Sequence, residues 1–312
     1  MTSSTQVTPT IVRTRDASTT VATTRTSRPK PRILLTAILA VLSVLWLLPV
    51  VGLLVTSFRE TADAKATGWW TVFGSGGLTI QNYADALSGS TSGTGQSLGS
   101  EFLNSIAIVL PATVLPIMFA AFAAYGFTFL QFKGKEVYFA VVVGLLVVPV
   151  QIALIPVLQT YQTITRSTGI PIVGSYAAAW IVHSAFALPL CIFILRNYMS
   201  TLPNALIEAA RIDGASHFQI FWKLVVPMSI PALASFAIFQ FIWVWNDYLV
   251  SFIFAGTTNP VLQVGLLALK GQYNQGWNLV AAGSFVVMII PLIVFFSLQR
   301  YFVRGLLAGS VK

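Results

Sequence analysis

Charge is what this sequence has least of. Only 9% of its 312 residues are charged and 56% are hydrophobic, with a mean hydropathy of +0.80. A soluble domain carries about 25% charged residues, so the polar surface here is too small to cover a water-facing globule. Cysteine is nearly absent as well. The single one, Cys191, lies in an apolar run, which excludes an intrachain disulfide and a cysteine-based metal site. His183 and His217 stand far from each other and from Cys191, so no metal site is expected. A nucleotide-binding loop is missing: Gly134-Lys135 is followed by Glu136 and has no matching upstream glycine. The nine carboxylates are dispersed, and no pair suits acid–base catalysis. The net charge of +9 comes from cations scattered between apolar runs, not from one basic stripe, which disfavours a nucleic-acid partner.

What remains is an integral membrane protein. A bilayer core of about 30 Å needs roughly 20 apolar residues at about 1.5 Å each. Six stretches qualify, at approximately residues 33–57, 102–130, 137–161, 172–195, 224–245 and 279–298. Each is expected to be helical, because only a helix satisfies its own backbone inside lipid and the alternation of a barrel strand is absent. The expected class is therefore all-α, a polytopic bundle of six kinked spans. Kinks are expected because Pro49, Pro111, Pro116, Pro149, Pro156, Pro189, Pro227, Pro231 and Pro291 fall within or at the ends of the spans.

Residues 1–31 form a separate zone rich in Ser and Thr, read as a disordered tail, and the first apolar run is too long for a cleaved leader and reads as a retained span. If that tail is cytoplasmic, most cations fall on inside segments, leaving Arg59, Lys65, Arg166 and Lys270 outside. Both termini are then inside. The segment from Arg59 to Glu101 is outside, with a flexible linker at 88–100 and Trp69, Trp70 and Phe73 near the interface.

One inside segment carries more than topology. Pro203 opens a helix rich in good helix formers at Ala205–Ile212, and Gly214 supplies a left-handed stop. Asp213 is expected to cap a second helix, in which Phe218, Phe221 and Trp222 make an apolar stripe outside the membrane. Such a stripe packs on the protein's own spans, lies among headgroups, or docks into another protein. Glu208 pairs with Arg211 at i, i+3 or reaches a basic partner.

These residues resemble a known family. Glu208-Ala209-Ala210, then Arg211 and Asp213-Gly214-Ala215, followed by Pro227, are similar to the EAA loop of permease subunits of bacterial ABC importers. Within that group the chain resembles the second, maltose-permease-like subunit of carbohydrate importers. Asn104-Ser105, Phe132-Lys133-Gly134, Pro149 with Gln151, Trp245-Asn246-Asp247 and the run Gln299-Arg300-Tyr301-Phe302-Val303-Arg304-Gly305 extend the likeness over most of residues 32–312. The resemblance implies half of a heterodimeric sugar pathway in the bacterial cytoplasmic membrane. It implies a second permease, a cytoplasmic ATPase dimer that uses ATP and Mg, and an extracellular sugar-binding protein as partners. It also implies coupling through segment 203–223, with Phe218 and Phe221 in the docking stripe, and a C-terminal stretch of Gln299, Arg300, Arg304 and Gly305 near the ATPase.

Gln151, Gln159 and Asn104 are candidates to line the pathway, since polar groups in lipid face a bundle interior. The two glutamines read first as bonds between helices, since the resemblance implies that the other permease supplies most of the sugar contacts. His183 reads as a packing histidine, and Asp247 as a local cap or pair. A secondary transporter, or an ABC permease for a non-sugar solute, remains the alternative at this stage.

Overall fold

In a computed structural model the protein is described at residues 33–75, 77–88, 97–269 and 276–308; for Ser75, Leu298 and 300–308 this means the backbone alone. The tail 1–31 and most of the linker 88–100 lie outside the described residues. Contacts divide the chain into residues 1–47 and 48–312. The described part of the first unit is helical and exposes its apolar side chains throughout, as a lipid-facing segment does.

Fifteen α-helices follow one another: α1 (Ile33–Ser57), α2 (Thr61–Ala66), α3 (Val72–Ser75), α4 (Gln81–Ser88), α5 (Leu98–Phe129), α6 (Lys135–Leu145), α7 (Val150–Thr168), α8 (Tyr176–Met199), α9 (Asn204–Ile212), α10 (His217–Ile220), α11 (Val226–Met228), α12 (Ile230–Trp245), α13 (Leu249–Phe254), α14 (Leu262–Ala268) and α15 (Trp277–Ala308). Among the described residues there is no strand, only an isolated bridge between Arg59 and Leu78. The all-α expectation holds. Four helices, α1, α5, α8 and the first part of α15, are each long and apolar enough to cross a membrane, and two bent pairs raise the number to six.

The bent pairs correct two predicted spans. Residues 137–161 are not one helix: α6 and α7 meet at 100°, broken before Pro149, which has no N–H to carry a helix onward. The fifth span begins earlier than residue 224. It runs from His217 through a π-helical turn at Phe221–Val225 and bends by 70° at Ser229, between Pro227 and Pro231. Elsewhere proline is absorbed without a break, in α5, α8 and α15.

The core is built on α5 against α8. Ala112, Ala120, Ala121 and Ala124 of α5 and Ala178, Ala179 and Ala187 of α8 are all buried. Small side chains let two backbones approach closely, which is how helices associate where lipid removes the hydrophobic drive. The α12 helix packs on both α5 and α15. Leu98–Ser100, expected within the flexible linker, is instead the first turn of α5, and Ser97 caps it by accepting from the Ser100 N–H.

Candidate functional site

Segment 203–223 folds as the expected helix, turn, helix. Gly214 takes φ +82°, the left-handed region that ends α9 without strain for glycine alone. The cap of α10 is not Asp213, which is exposed and closes α9. It is Ser216. Its side chain accepts from the Gln219 N–H at 3.3 Å, and the Gln219 side chain accepts from the Ser216 N–H at 2.8 Å. Only a residue three places before Gln219 can form this reciprocal pair, so position outweighs the carboxylate.

The elbow has two faces. Ile207, Ile220 and Phe221 point inward and join the core formed with Ala120, Ala124, Leu195 and Met199. Phe221 is 3% exposed and stacks on Phe122 of α5 at 4.5 Å between ring centroids, with its edge toward Tyr125 at 5.4 Å. It is therefore a core side chain, which corrects its assignment to a docking stripe. Two polar ties reinforce it. Tyr125 Oη lies 2.9 Å from His217 Nδ1, and Arg211 donates to the Phe129 carbonyl at 3.2 Å, near which Glu208 forms no ion pair with Arg211 among the described residues. The outer face carries Glu208, Ala209, Ile212, Asp213, Gly214 and Phe218, all exposed; Ile212 is 86% and Phe218 67% exposed. Ala210 and Ala215 sit half-buried between the faces and pack against the core.

Behind the elbow, the π-helical turn and the prolines around Ser229 leave backbone groups without regular helical partners. The result is a bend of 70° between the elbow and α12.

The remaining candidates separate. Gln151 is exposed in the first turn of α7 and lines a cavity of about 670 Å³ walled by the α6–α7 break, α8 and α12. Gln159 is exposed further along α7 and does not line it. Asn104 is a clamp. Its amide donates to the Pro260 carbonyl at 2.9 Å and accepts from the Tyr176 hydroxyl at 2.7 Å, while Ser105 accepts from the Leu262 N–H at 2.8 Å. With both ends of its amide held inside the chain, Asn104 is tied to segment 260–262 and not presented to a solute. Gln299 is exposed and donates to the Phe296 carbonyl, Gly305 lies in the helical backbone of α15, and the side chains of Arg300 and Arg304 lie outside the described residues.

Some buried polar ties went unseen in the sequence. Arg59, counted as an outside cation, is 1% exposed and donates to the carbonyls of Asp63 at 2.9 Å and Thr67 at 3.0 Å and to the Thr67 hydroxyl. Asn82 donates to the carbonyls of Ser57 and Arg59, each at 2.8 Å, and accepts from Asn278 of α15 at 2.7 Å. Glu101 is fully buried, with its carboxylate laid against Gly265. No periodic pattern announces these contacts; the one available signal was an arginine directly after a span in a segment otherwise free to be polar.

Comparison with known proteins agrees with this architecture. Residues 116–307 match the family described as "Binding-protein-dependent transport system inner membrane component". The chain is 50% identical over 274 residues to the osmoprotective compounds uptake permease protein GgtD of Synechocystis sp., covering 86% of this chain and 88% of that protein. It is 50% identical over 237 residues to the alpha-glucoside transport system permease protein AglG of Rhizobium meliloti, covering 75% of this chain and 60% of that one. In structure it is similar to a bacterial ABC transporter that imports the acidic polysaccharide alginate, with a TM-score of 0.67, 22% identity, and 86% of this chain and 95% of that chain covered. With this match spanning the elbow, the bend behind it and most of the core, the chain belongs to the family of inner-membrane components of binding-protein-dependent transport systems.

Proposed function

We propose that the chain is the permease subunit of an ATP-binding-cassette importer for a sugar, coupled to a separate ATPase through the α9–α10 elbow. The observation that carries this reading is the two-faced elbow. Its inner face is fastened to α5 by Phe221, His217 and Arg211, while its outer face offers a carboxylate, small residues and an exposed ring. An exposed aromatic flanked by small side chains is what a docking site buries, and a charge-assisted bond from Glu208 would fix its register. Force applied to the outer face passes into α5, the helix on which the core is built.

Sugar is the favoured cargo because relatives named for alpha-glucosides and for melibiose, raffinose and stachyose are among those that the chain matches. A structurally similar transporter was solved with an alginate pentasaccharide-bound periplasmic protein, which supports an extracellular binding protein as one partner. A second permease completes the pathway, and the ATPase dimer binds ATP and Mg. The assembly sits in the cytoplasmic membrane with both termini in the cytoplasm, following the cation bias.

The test is uptake of labelled maltose, sucrose and raffinose by membrane vesicles holding the whole assembly. Glu208→Ala and Gly214→Pro should insert normally but lose at least about tenfold in uptake, with ATP hydrolysis no longer stimulated by sugar-loaded binding protein. Unchanged uptake in both variants removes the elbow from the mechanism.

A further inference from the structure

The cavity beside the α6–α7 break has a polar corner that the coupling elbow does not use. His183 of α8 is 4% exposed, and its Nε2 has no hydrogen-bond partner. The nearest charged atom is Asp247 Oδ2 at 3.7 Å, which is beyond hydrogen-bond length. Asp247 is itself fixed, because Oδ2 accepts from the Ser251 N–H at 2.9 Å in the first turn of α13. Gln240 lines the same cavity and is held by a bond from Nε2 to the Ala112 carbonyl at 3.2 Å. Gln151 faces them from α7, and Phe186 and Trp243 contribute apolar wall.

We propose that this cavity is a binding site for a neutral, polyhydroxylated solute, in which one hydroxyl is shared between His183 Nε2 and the Asp247 carboxylate. The proposal rests on the importer reading and names the part of this chain that touches the cargo. Geometry supports it first. A hydroxyl oxygen about 2.8 Å from each atom fits a pair 3.7 Å apart, closing a triangle that neither side chain closes alone. Chemistry supports it next. A hydroxyl offers one donor and two acceptor sites, so it donates to the carboxylate while accepting from a protonated Nε2, and both side chains are satisfied at once. An ammonium group would take the carboxylate but leave a donor-bearing Nε2 without a partner. The size agrees too: about 670 Å³ lies within the roughly 300–1,000 Å³ of small-molecule sites, as does a mainly apolar wall with a few convergent polar groups. The apolar and aromatic lining suits the C–H faces of a sugar ring.

The experiment uses the assembled importer in membrane vesicles. Cys191 is the single cysteine and is buried, so Cys191→Ala with Ala153→Cys places one reporter thiol in the cavity wall. Maltose, sucrose, raffinose and choline are tested for their ability to slow maleimide labelling. At least one sugar should slow it severalfold while choline does not, and Asp247→Asn or His183→Phe should abolish that protection. In the original cysteine background, the same substitutions should raise the uptake KM about tenfold with Vmax within about twofold, and His183→Gln should restore most of the affinity. Protection by choline alone, or a fall in Vmax at constant KM, overturns the site. So does labelling that no sugar slows in vesicles that take up sugar. Protection by sugar in vesicles that move none faults the importer reading and leaves the site standing; neither uptake nor protection overturns both.

Discussion

At the Phe129 end of α5 the adjoining segment is held mainly by rings, with Phe221 on Phe122 and against Tyr125. Toward the Leu98 end the adjoining segments are held by buried polar groups, with Arg59 capping carbonyls and Asn82 joined to Asn278. The two materials differ in what they permit. Ring contacts are short-ranged but weakly directional, so they tolerate small sliding without a large loss. Buried hydrogen bonds have fixed directions and leave costly unsatisfied groups when displaced. On the proposed coupling, one end of the helix would transmit displacement and the other would resist it.

The sharpest way to break this contrast is Arg59→Ala. It empties the space of a fully buried guanidinium and deletes the bonds that it gives to the Asp63 and Thr67 carbonyls and the Thr67 hydroxyl, and a loss of about 4 kcal/mol is expected. Thermal unfolding of the detergent-solubilised chain measures it, and a loss below about 1 kcal/mol would remove the clamp. Phe221→Ala comes next, at about 3 kcal/mol for a buried ring replaced by a void. Gly265→Ala follows at about 2 kcal/mol, since a methyl there would fall 1.5 Å from Glu101 Oε2 and drive the carboxylate aside. Tyr125→Phe deletes a single bond to His217 and should cost about 1 kcal/mol. Phe218→Ala should change stability by less than about 0.5 kcal/mol, because the ring is exposed, yet reduce uptake at least about tenfold. Phe218 and Phe221 thus separate a docking role from a structural one: equal effects on stability in the same unfolding assay would dissolve the distinction.

Much of this architecture was legible in residues alone. Lipid permits few backbone solutions, so hydropathy located α1, α5, α8 and α15 with small errors at their ends. The left-handed turn at Gly214 was legible because so few residues accept that conformation. The faces of α10 were not. Three bulky side chains in one turn satisfy a stripe, but which of them turns inward is decided where the π-helical turn at Phe221–Val225 begins and Phe221 meets Phe122 and Tyr125. Asp213 lost its expected cap to Ser216 because reciprocity with Gln219 outweighs charge. The ties made by Arg59 and Asn104 were not legible for a common reason: they include the backbone carbonyls of Asp63, Thr67 and Pro260, and carbonyls leave no trace in a sequence. The polar cavity corner was half visible, since His183 and Asp247 each stood out but nothing in their separation along the chain brings them together.

The π-helical turn carries a consequence for length as well as for shape. It accommodates one residue beyond regular helical spacing between the elbow and Pro227. Deleting one position within it would restore ordinary winding and keep the flanks in register, whereas deleting one position in the regular winding of α12 would rotate everything upstream by ~100° about the axis. Arg211, His217 and Phe221 would then leave their seats together. The turn is thus the place along this span where the chain can lose a residue and still present the elbow to α5 as before.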